Sequence, residues 1–398
     1  MQISRLQSGR VAFVCVLAVG IGQSPLAAQG SERPWSTSVR TDVQISYDDN
    51  PFLLDTARMT KLRSPSSGDV ASGRFKDMVS VADQIVTPSL VFGAKGPGLG
   101  GRSVELRGEV AYEYNIQNTR RKHADLGLVL QHGVTRGGQL RFDAGWQASA
   151  FNKNYLADAV DLNTDGNITS DERRYSAALV RQLDLSLGYK QRLVKATKHR
   201  AFGLVGELAA TYGDKHYADP FSGRTLTGPG GLAALDFELG RRWTLGINYS
   251  YAKLDADRTL EVLILDETAF GQDLNGNGNA TDLNARTVQM VDRSRKEQHI
   301  GATLQSELGK RVTAKLGYDR RTRDFTSVEP FDVADNGRDD TLNEFAAALK
   351  FRLGPAMELE IGGKHLKQTT NRAGDPASTG EVADYLRNVA SASLSYRF

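Results

Sequence analysis

Hydrophobic and polar residues alternate in twos along most of this chain. Ser103–Asn115 shows it most plainly. Val104, Leu106, Gly108, Val110, Tyr112 and Tyr114 fall on one face, and Glu105, Arg107, Glu109 and Glu113 on the other. A period of two is the signature of an extended strand with unlike faces. Fourteen such segments can be drawn, at roughly 36–48, 82–94, 103–115, 123–134, 139–151, 174–190, 201–213, 231–239, 242–254, 297–308, 311–322, 343–353, 357–367 and 384–398. The last reads Ala390, Ala392, Leu394, Tyr396 and Phe398 on one side and Ser391, Ser393, Ser395 and Arg397 on the other. In a soluble sandwich the apolar face would point to a core. Here the polar face carries charges at nearly every step, as the wet interior of a barrel does.

The connections alternate in length. Short ones are 95–102, 135–138, 193–200, 240–241, 309–310 and 354–356; long ones are 49–81, 116–122, 152–173, 214–230, 255–296, 323–342 and 368–383. Each strand reaches the ~9–11 residues that a tilted membrane strand needs. The pattern predicts an all-β fold: a transmembrane, antiparallel, up-and-down β-barrel of about 14 strands, with short turns facing the periplasm and long loops outside. Within 255–296, Leu260–Leu265 is placed to form an extra hairpin with Thr287–Val291. Aromatic residues fit two interface girdles. Tyr47, Tyr112, Tyr114, Tyr175, Tyr212, Tyr249, Tyr251, Tyr318, Phe345 and Tyr385 would ring the outer one; Phe92, Trp243, Phe351, Tyr396 and Phe398 would ring the inner one. Residues 29–35 read as a lead-in, and the rest of 29–398 as strand, turn or loop.

The first residues read differently. Arg5 and Arg10 precede an apolar run from Val11 to Ile21 and then Ser24-Pro25-Leu26-Ala27-Ala28. This predicts a secretory signal peptide over 1–28, cleaved after Ala28. The one cysteine, Cys15, lies inside it behind Val14, which does not suit a lipoprotein signal, so the exported chain has no thiol to oxidise. Loss of Arg5 and Arg10 takes the formal charge from +3 to +1. That balance gives no footing for nucleic acid. Mean hydropathy is −0.40, and no later apolar run approaches a spanning helix of ~18 residues.

Candidate chemistry lies in the loops and on the polar faces. Asp161, Asn163, Asp165, Gly166, Asn167, Thr169 and Glu172 match a twelve-residue Ca²⁺ loop, with oxygen side chains at alternate positions and glycine at the sharp turn. The same residues also suit a solvated Asp/Asn/Gly turn. Either way no cofactor is called for beyond a possible structural Ca²⁺. Asp273–Asn284 repeats the opening of the motif without its closing Glu, and Asp332, Asn336, Gly337 and Asp339 give a poorer version; both read as turns. The polar faces nominate a lumen lining of Arg40, Asp42, Glu105, Arg107, Glu109, Arg141, Asp143, Asp236, Glu238, Lys315, Asp319, Lys350, Arg352, Glu358, Glu360 and Lys364. Its mixed signs argue against one strong ion selectivity. Basic runs at Arg120–His123 and at Arg320, Arg321 and Arg323 sit at the outer rim, open to lipopolysaccharide phosphates, to an anionic solute or to water alone. His123, His132, His199, His216, His299 and His365 are scattered, and none lies in a hydrolase motif, so the chain reads as non-enzymatic.

The closing strand, with Leu394, Tyr396 and Phe398 on its greasy face, resembles the C-terminal signal of Gram-negative outer-membrane barrels. That resemblance implies recognition by the barrel-insertion machinery and residence among outer-membrane lipid and lipopolysaccharide. Tyr47-Asp48-Asp49-Asn50-Pro51-Phe52 resembles the end of strand one in the beta-barrel porins associated with exopolysaccharide operons. Asp384-Tyr385-Leu386-Arg387-Asn388 is similar to the barrel of surface lipoprotein assembly modifiers, whose helical repeat domain is absent here. Together these imply an outer-membrane channel for small solutes or oligosaccharides, or else a surface assembly or export factor, or a structural barrel.

Overall fold

The computed structural model describes residues 35–398 apart from 170, 197–201, 241, 266–267, 269–270, 274–275, 282–283, 329–331, 333–334 and 372–383. The signal-peptide expectation over 1–28 lies outside the described residues.

Fourteen strands close on themselves: β1 (Ser36–Asp48), β2 (Asp83–Pro97), β3 (Ser103–Asn115), β4 (His123–Thr135), β5 (Gly138–Ala159), β6 (Arg173–Val194), β7 (Phe202–Tyr217), β8 (Leu226–Leu239), β9 (Trp243–Ala256), β12 (Arg295–Glu307), β13 (Val312–Phe325), β14 (Asp339–Arg352), β15 (Met357–Asn371) and β16 (Tyr385–Arg397). Each pairs antiparallel with its neighbours in chain order, and β16 returns to β1 with Arg397 opposite Arg40. Between β9 and β12 lies a separate hairpin, β10 (Thr259–Leu265) with β11 (Ala285–Val291), as the sequence places it. Closure leaves the barrel sheet without an edge, which is what lets strands stand in lipid without unpaired backbone.

The two faces separate cleanly. One carries Ile45, Leu187, Leu208 and Leu316, each more than half exposed, with Val43, Val110, Leu126, Ile247 and Ile361 beside them. So much exposed aliphatic surface in a continuous band is the lipid face of a transmembrane barrel. Gly108 fits the same face because the Phe92 ring lies over it and leaves no room for a Cβ. Tyr47, Tyr112, Tyr114, Tyr249, Tyr251 and Phe345 line its upper margin, and Phe92, Trp243, Tyr396 and Phe398 its lower one. Tyr385 departs from the expected outer girdle. It pairs with Gln368 on the inward face and is buried.

Three features differ from the sequence reading. β5 and β6 run to 22 residues each, so the loop expected over 152–173 is in part a ribbon that stands above the wall. Register shifts after Gln147, Phe151 and Leu156 put bulges into it, and such irregularity breaks the period of two. The connection 116–122 is compact, with only a single helical turn at Thr119–Arg121. Residues 49–82 are not plain loop. They hold α1 (Thr56–Arg63), capped by the Asp55 side chain, and α2 (Ser67–Ala71), opened by a Ser66/Asp69 capping box. Both are short, and α1 buries only Leu62, so neither shows an apolar stripe.

Candidate functional site: the lumen and its outer cap

Direct cross-strand partners point the same way, so the register carries the inward face around the barrel. Asp42 opposes Ser89, Lys95 opposes Glu105, Glu105 opposes Gln131, Gln131 opposes Arg141, and Asp143 opposes Ser186. Further round, Val205 opposes Asp236, Gly203 opposes Glu238, Gln305 opposes Lys315, Gly301 opposes Asp319, and Lys350 and Arg352 oppose Glu360 and Glu358. All of the nominated lumen residues therefore share the inward face. Many of them are held in short ion pairs: Arg40–Asp42 at 2.9 Å, Arg107–Glu109 at 3.2 Å, Arg141–Asp143 at 2.7 Å, Lys350–Glu358 at 2.7 Å and Lys364–Glu344 at 2.9 Å. The alternation also marks inward residues the sequence reading passed over. Lys190 lies 3.6 Å from Glu207 and 3.2 Å from Asp236, and His299 lies 2.7 Å from Asp319. A cavity of about 640 Å³ opens in the outer half of the lumen. Asp143, Gln182 and Asp184 line it from one side, and Arg295, Glu297, Arg321 and Arg323 from another.

The outer loops form a cap with two apolar layers on the β5–β6 ribbon. Phe52, Leu54, Leu62 and Met78 pack with Phe151, Ala177 and Leu179 on one of its faces. Ala178 and Val180 hold Tyr217 and Phe221 on the other. Because Val180 continues the register of Gln182 and Asp184, residues 218–225 lie on the lumen side of that ribbon. A third cluster joins Ala159 and Ile168 to Ile264 of β10. A chain of buried charges ties these pieces together. Arg224 meets Glu261 at 2.6 Å, Glu261 meets Arg293 at 2.8 Å, Arg293 meets Asp335 at 2.8 Å, and Arg338 bridges Asp335 and Asp340 at 2.9 and 2.5 Å. Asp332, fully buried, accepts from the Ser327 hydroxyl and the Asp292 and Asp335 backbone N–H groups. Burial, then the nearby Asp335 charge, pushes its carboxyl up to about 6.

The two short motifs that suggested two families meet each other. Asp48 takes a bidentate hydrogen bond from Arg387, at 2.6 Å for the shorter contact. Asp49 accepts from the backbone and side chain of Asn388, and the Asn50 amide donates to the Leu54 and Leu386 carbonyls. They are the two halves of one clamp at the outer end of the β1–β16 seam. Of the basic run at 120–123, Arg120 pairs with Asp77, while Arg121 is inserted against the Phe52 ring and the Pro51 carbonyl. Arg121 is thus a structural wedge, while Lys122 beside it stays exposed. The second run is split by the period of two. Arg321 and Arg323 face the lumen, and Arg320 faces out beside Ile300.

In the 161–172 loop, Gly166 takes φ 80°, as the sharp turn requires. The oxygens named for calcium are largely engaged by the loop's own donors. Glu172 accepts from the Leu162 and Thr169 backbone N–H groups and the Thr169 hydroxyl. These bonds, the Thr169 backbone one foremost, hold its carboxyl below the usual range. Asp161 accepts from Gly166, and Asp165 from Asn167 and Asn163. Asp161 Oδ1 and Asn167 Oδ1 are buried without a hydrogen-bond partner. Among the described residues no three His, Cys, Asp or Glu side chains converge on a metal-sized site. In the 273–284 repeat, Asp273 is spent on the Gly276, Asn277 and Gly278 backbone N–H groups. Leu394, Tyr396 and Phe398 lie on the lipid face at the inner margin, the last two with ring centroids 4.8 Å apart.

No protein-family model matches the chain, and no curated protein matches it. Solved structures that align along most of its length are outer-membrane barrels. An anion-selective porin from Comamonas acidovorans is 11% identical, covering 92% of this chain and 99% of its own, with a TM-score of 0.39. OccAB3 of Acinetobacter baumannii is 7% identical, covering 91% and 100%, at 0.38. OprD of Pseudomonas aeruginosa is 11% identical, covering 91% and 95%, at 0.36. Likeness at this level says nothing about what passes through the lumen of this chain.

Proposed function

We propose that the chain is a porin-type channel of a Gram-negative outer membrane, passing small hydrophilic solutes or oligosaccharides down their gradients. The observation that carries this reading is the lumen. Its inward face is polar and charged from strand to strand, and a cavity of about 640 Å³ lies between facing walls. A barrel filled with apolar side chains would be a plug; one lined with hydrated ion pairs admits water. Fourteen strands lie between the eight that close on packed side chains and the sixteen of open porins. The cap then sets the size of the outer mouth. Purified barrel in a planar bilayer should give discrete, voltage-independent conductance steps. A silent bilayer containing folded, inserted protein would leave a structural or surface-assembly barrel as the reading.

The 161–172 loop adds a calcium function to this proposal. Ca²⁺ entering between Asp161, Asn163, Asp165 and Glu172 would engage Asp161 Oδ1 and Asn167 Oδ1, the two buried oxygens left without partners. Ligand oxygens now spent on backbone N–H groups must be released, so affinity in the millimolar range of extracellular modules is expected. Calorimetry should show calcium heats that Asp161→Ala with Glu172→Ala abolishes; equal heats in both proteins would reduce the motif to a polar turn.

A further inference from the structure

Four glycines face the lumen in one row across β4, β5, β7 and β8. Gly127 directly opposes Gly145, Gly145 opposes Asp184 on β6, Asp184 opposes Gly213, and Gly213 opposes Gly228. All five residues border the cavity of about 640 Å³. A glycine inside a strand weakens it, and it marks a bulge, a bend or the close approach of another backbone or a ligand. Gly228 has such a backbone beside it, since a Cβ there would run into the Lys253 carbonyl. Nothing comparable accounts for the other three. Their ladders run unbroken, and none has a left-handed backbone. A Cβ on Gly145 would meet no atom within 4 Å, and one on Gly127 or Gly213 only a side-chain atom at 3.7 Å. Side chains would fit there, and the sequence leaves the wall bare.

Charge is unbalanced on both sides of this recess. Asp184 accepts from the Gln182 amide at 2.7 Å and has no base within ion-pair distance among the described residues. The bases on the strands beside it are engaged elsewhere: Arg141 holds Asp143, and Lys215 lies over the Tyr217 ring. Across the cavity three guanidiniums gather at one carboxylate. Glu297 meets Arg295 at 2.7 Å and Arg323 at 3.3 Å, and Arg323 Nε is buried without a hydrogen-bond partner. Arg321 is exposed in the cavity and has no carboxylate within ion-pair distance among the described residues. The other inward acids near it are taken: Asp319 by His299, Asp340 by Arg338 and Glu344 by Lys364.

We infer that this recess is a subsite for a sugar acid. The face of one pyranose ring lies on the bare peptide wall of Gly127, Gly145 and Gly213, as close as only glycine permits. Its hydroxyls donate to Asp184 and meet the neutral Gln182, Ser186 and Thr211 side chains that border the same cavity. Its carboxylate lies against Arg321 and Arg323, whose planar forks match a carboxylate. An ammonium would need Asp184 alone, whereas several neutral polar groups around a ring-sized floor suit a polyol. The inference rests on the channel reading proposed above and gives that channel a substrate class.

The test titrates the folded barrel in detergent with D-glucuronate by calorimetry, and follows block of the single-channel current by the same solute. D-Glucuronate should bind at least about tenfold more tightly than D-glucose, the difference made by one charged hydrogen bond or more. Arg321→Gln should remove that preference and leave D-glucose where it was. Gly145→Leu, which grows into open space, should keep a heat-modifiable barrel and lose both sugars. Unchanged D-glucuronate binding in either variant would overturn the subsite; should Gly145→Leu fail to fold, Arg321→Gln decides alone. Acetate binding as tightly as D-glucuronate would mean a plain anion site, and L-alanine binding as tightly would mean a zwitterion site; each would overturn the sugar assignment. A barrel that binds D-glucuronate in this manner and conducts nothing would refute the channel reading and leave the subsite standing.

Discussion

Arg141 on the wall and Arg293 in the cap each hold carboxylates at hydrogen-bond distance, but in different surroundings. Arg141 reaches Asp143 at 2.7 Å with both side chains about a third exposed to the lumen. Arg293 reaches Glu261 and Asp335 at 2.8 Å, and the Asp335 side chain has no exposure at all. The first pair joins residues two apart on one strand. The second joins β10, the end of the β11–β12 connection and the 326–338 loop. An exposed pair gains little over hydration and is worth about 0–1 kcal/mol. A buried one is costly to break, because the surviving partner stays desolvated and unpaired. Strand pairing and the lipid belt therefore hold the wall, and its charges are left to line the lumen. The cap has no lipid to press on and only small apolar clusters, so its charges cross-link it.

The largest expected effect comes from cutting that cross-link. Arg293→Ala breaks the chain of charges in its middle, leaving Glu261 to Arg224 and Asp335 to Arg338, and should cost the cap about 3 kcal/mol for the charged hydrogen bonds lost. The loss should stay local, since the fourteen paired strands do not depend on it. Limited proteolysis in detergent should then cleave within 257–294 and 326–338 while the core band remains heat-modifiable. If the variant loses the folded barrel altogether, cap and wall are one cooperative unit and the contrast drawn here fails.

The difference between wall and cap is also a difference in legibility. Ser36–Asp48 and Ser103–Asn115 match the expected segments at both ends because each residue there answers to one of two solvents, lipid or water. Above the membrane that rule lapses. β5 and β6 continue for several residues with bulges and with apolar side chains on both faces, because loops cover both. α1 and α2 announce themselves only through Asp55 and the Ser66/Asp69 box, signals too local to outweigh a non-periodic stretch. Arg121 reads as a rim charge and is in fact wedged on Phe52, since nothing local reveals that residues 49–82 fold over it. The Asp48–Arg387 clamp lay in plain view as two motifs. Their meeting depends on the closure of strand one on strand sixteen, which no local pattern contains. Of the candidate site, the inward placement of the charged residues follows from the period of two. Which carboxylate each base would hold follows only in part, because Arg40, Arg107 and Arg141 take the acid two residues along their own strand while Lys350 and Lys364 reach across to a neighbouring one.

A smaller effect should appear with pH, and only in the cap. The Asp332 carboxyl is raised to about 6 from an ordinary value near 3.8. A carboxyl raised in the folded state favours the proton there. Its contribution is fully present below pH about 4 and is lost as pH rises through about 6, on the order of 3 kcal/mol in all, with roughly half of that between pH 5 and 8. The cap should resist protease better at pH 5 than at pH 8, and Asp332→Asn should remove most of that difference. A cap equally stable at both pH values, or steeper pH dependence in the variant, would show that the buried cluster of Asp332, Asp335, Arg293 and Arg338 titrates through another group.

The smallest effect on stability should come from the wall, and there the readout has to change. Arg141→Ala removes a bidentate partner of Asp143, yet both side chains already see water, so unfolding in urea should shift by less than about 1 kcal/mol. The current should respond more. Asp143 borders the cavity, and without its guanidinium it presents a full negative charge to passing ions. Cation over anion permeability, read from reversal potentials in a salt gradient, should rise in Arg141→Ala and fall in Asp143→Asn, with the double variant near the parent. Such opposite shifts at unchanged stability are what a lining pair produces. If both variants instead destabilise the barrel by several kcal/mol and leave the reversal potential where it was, the pair is a structural element. The distinction between a charge-lined wall and a charge-bolted cap would then have to be given up.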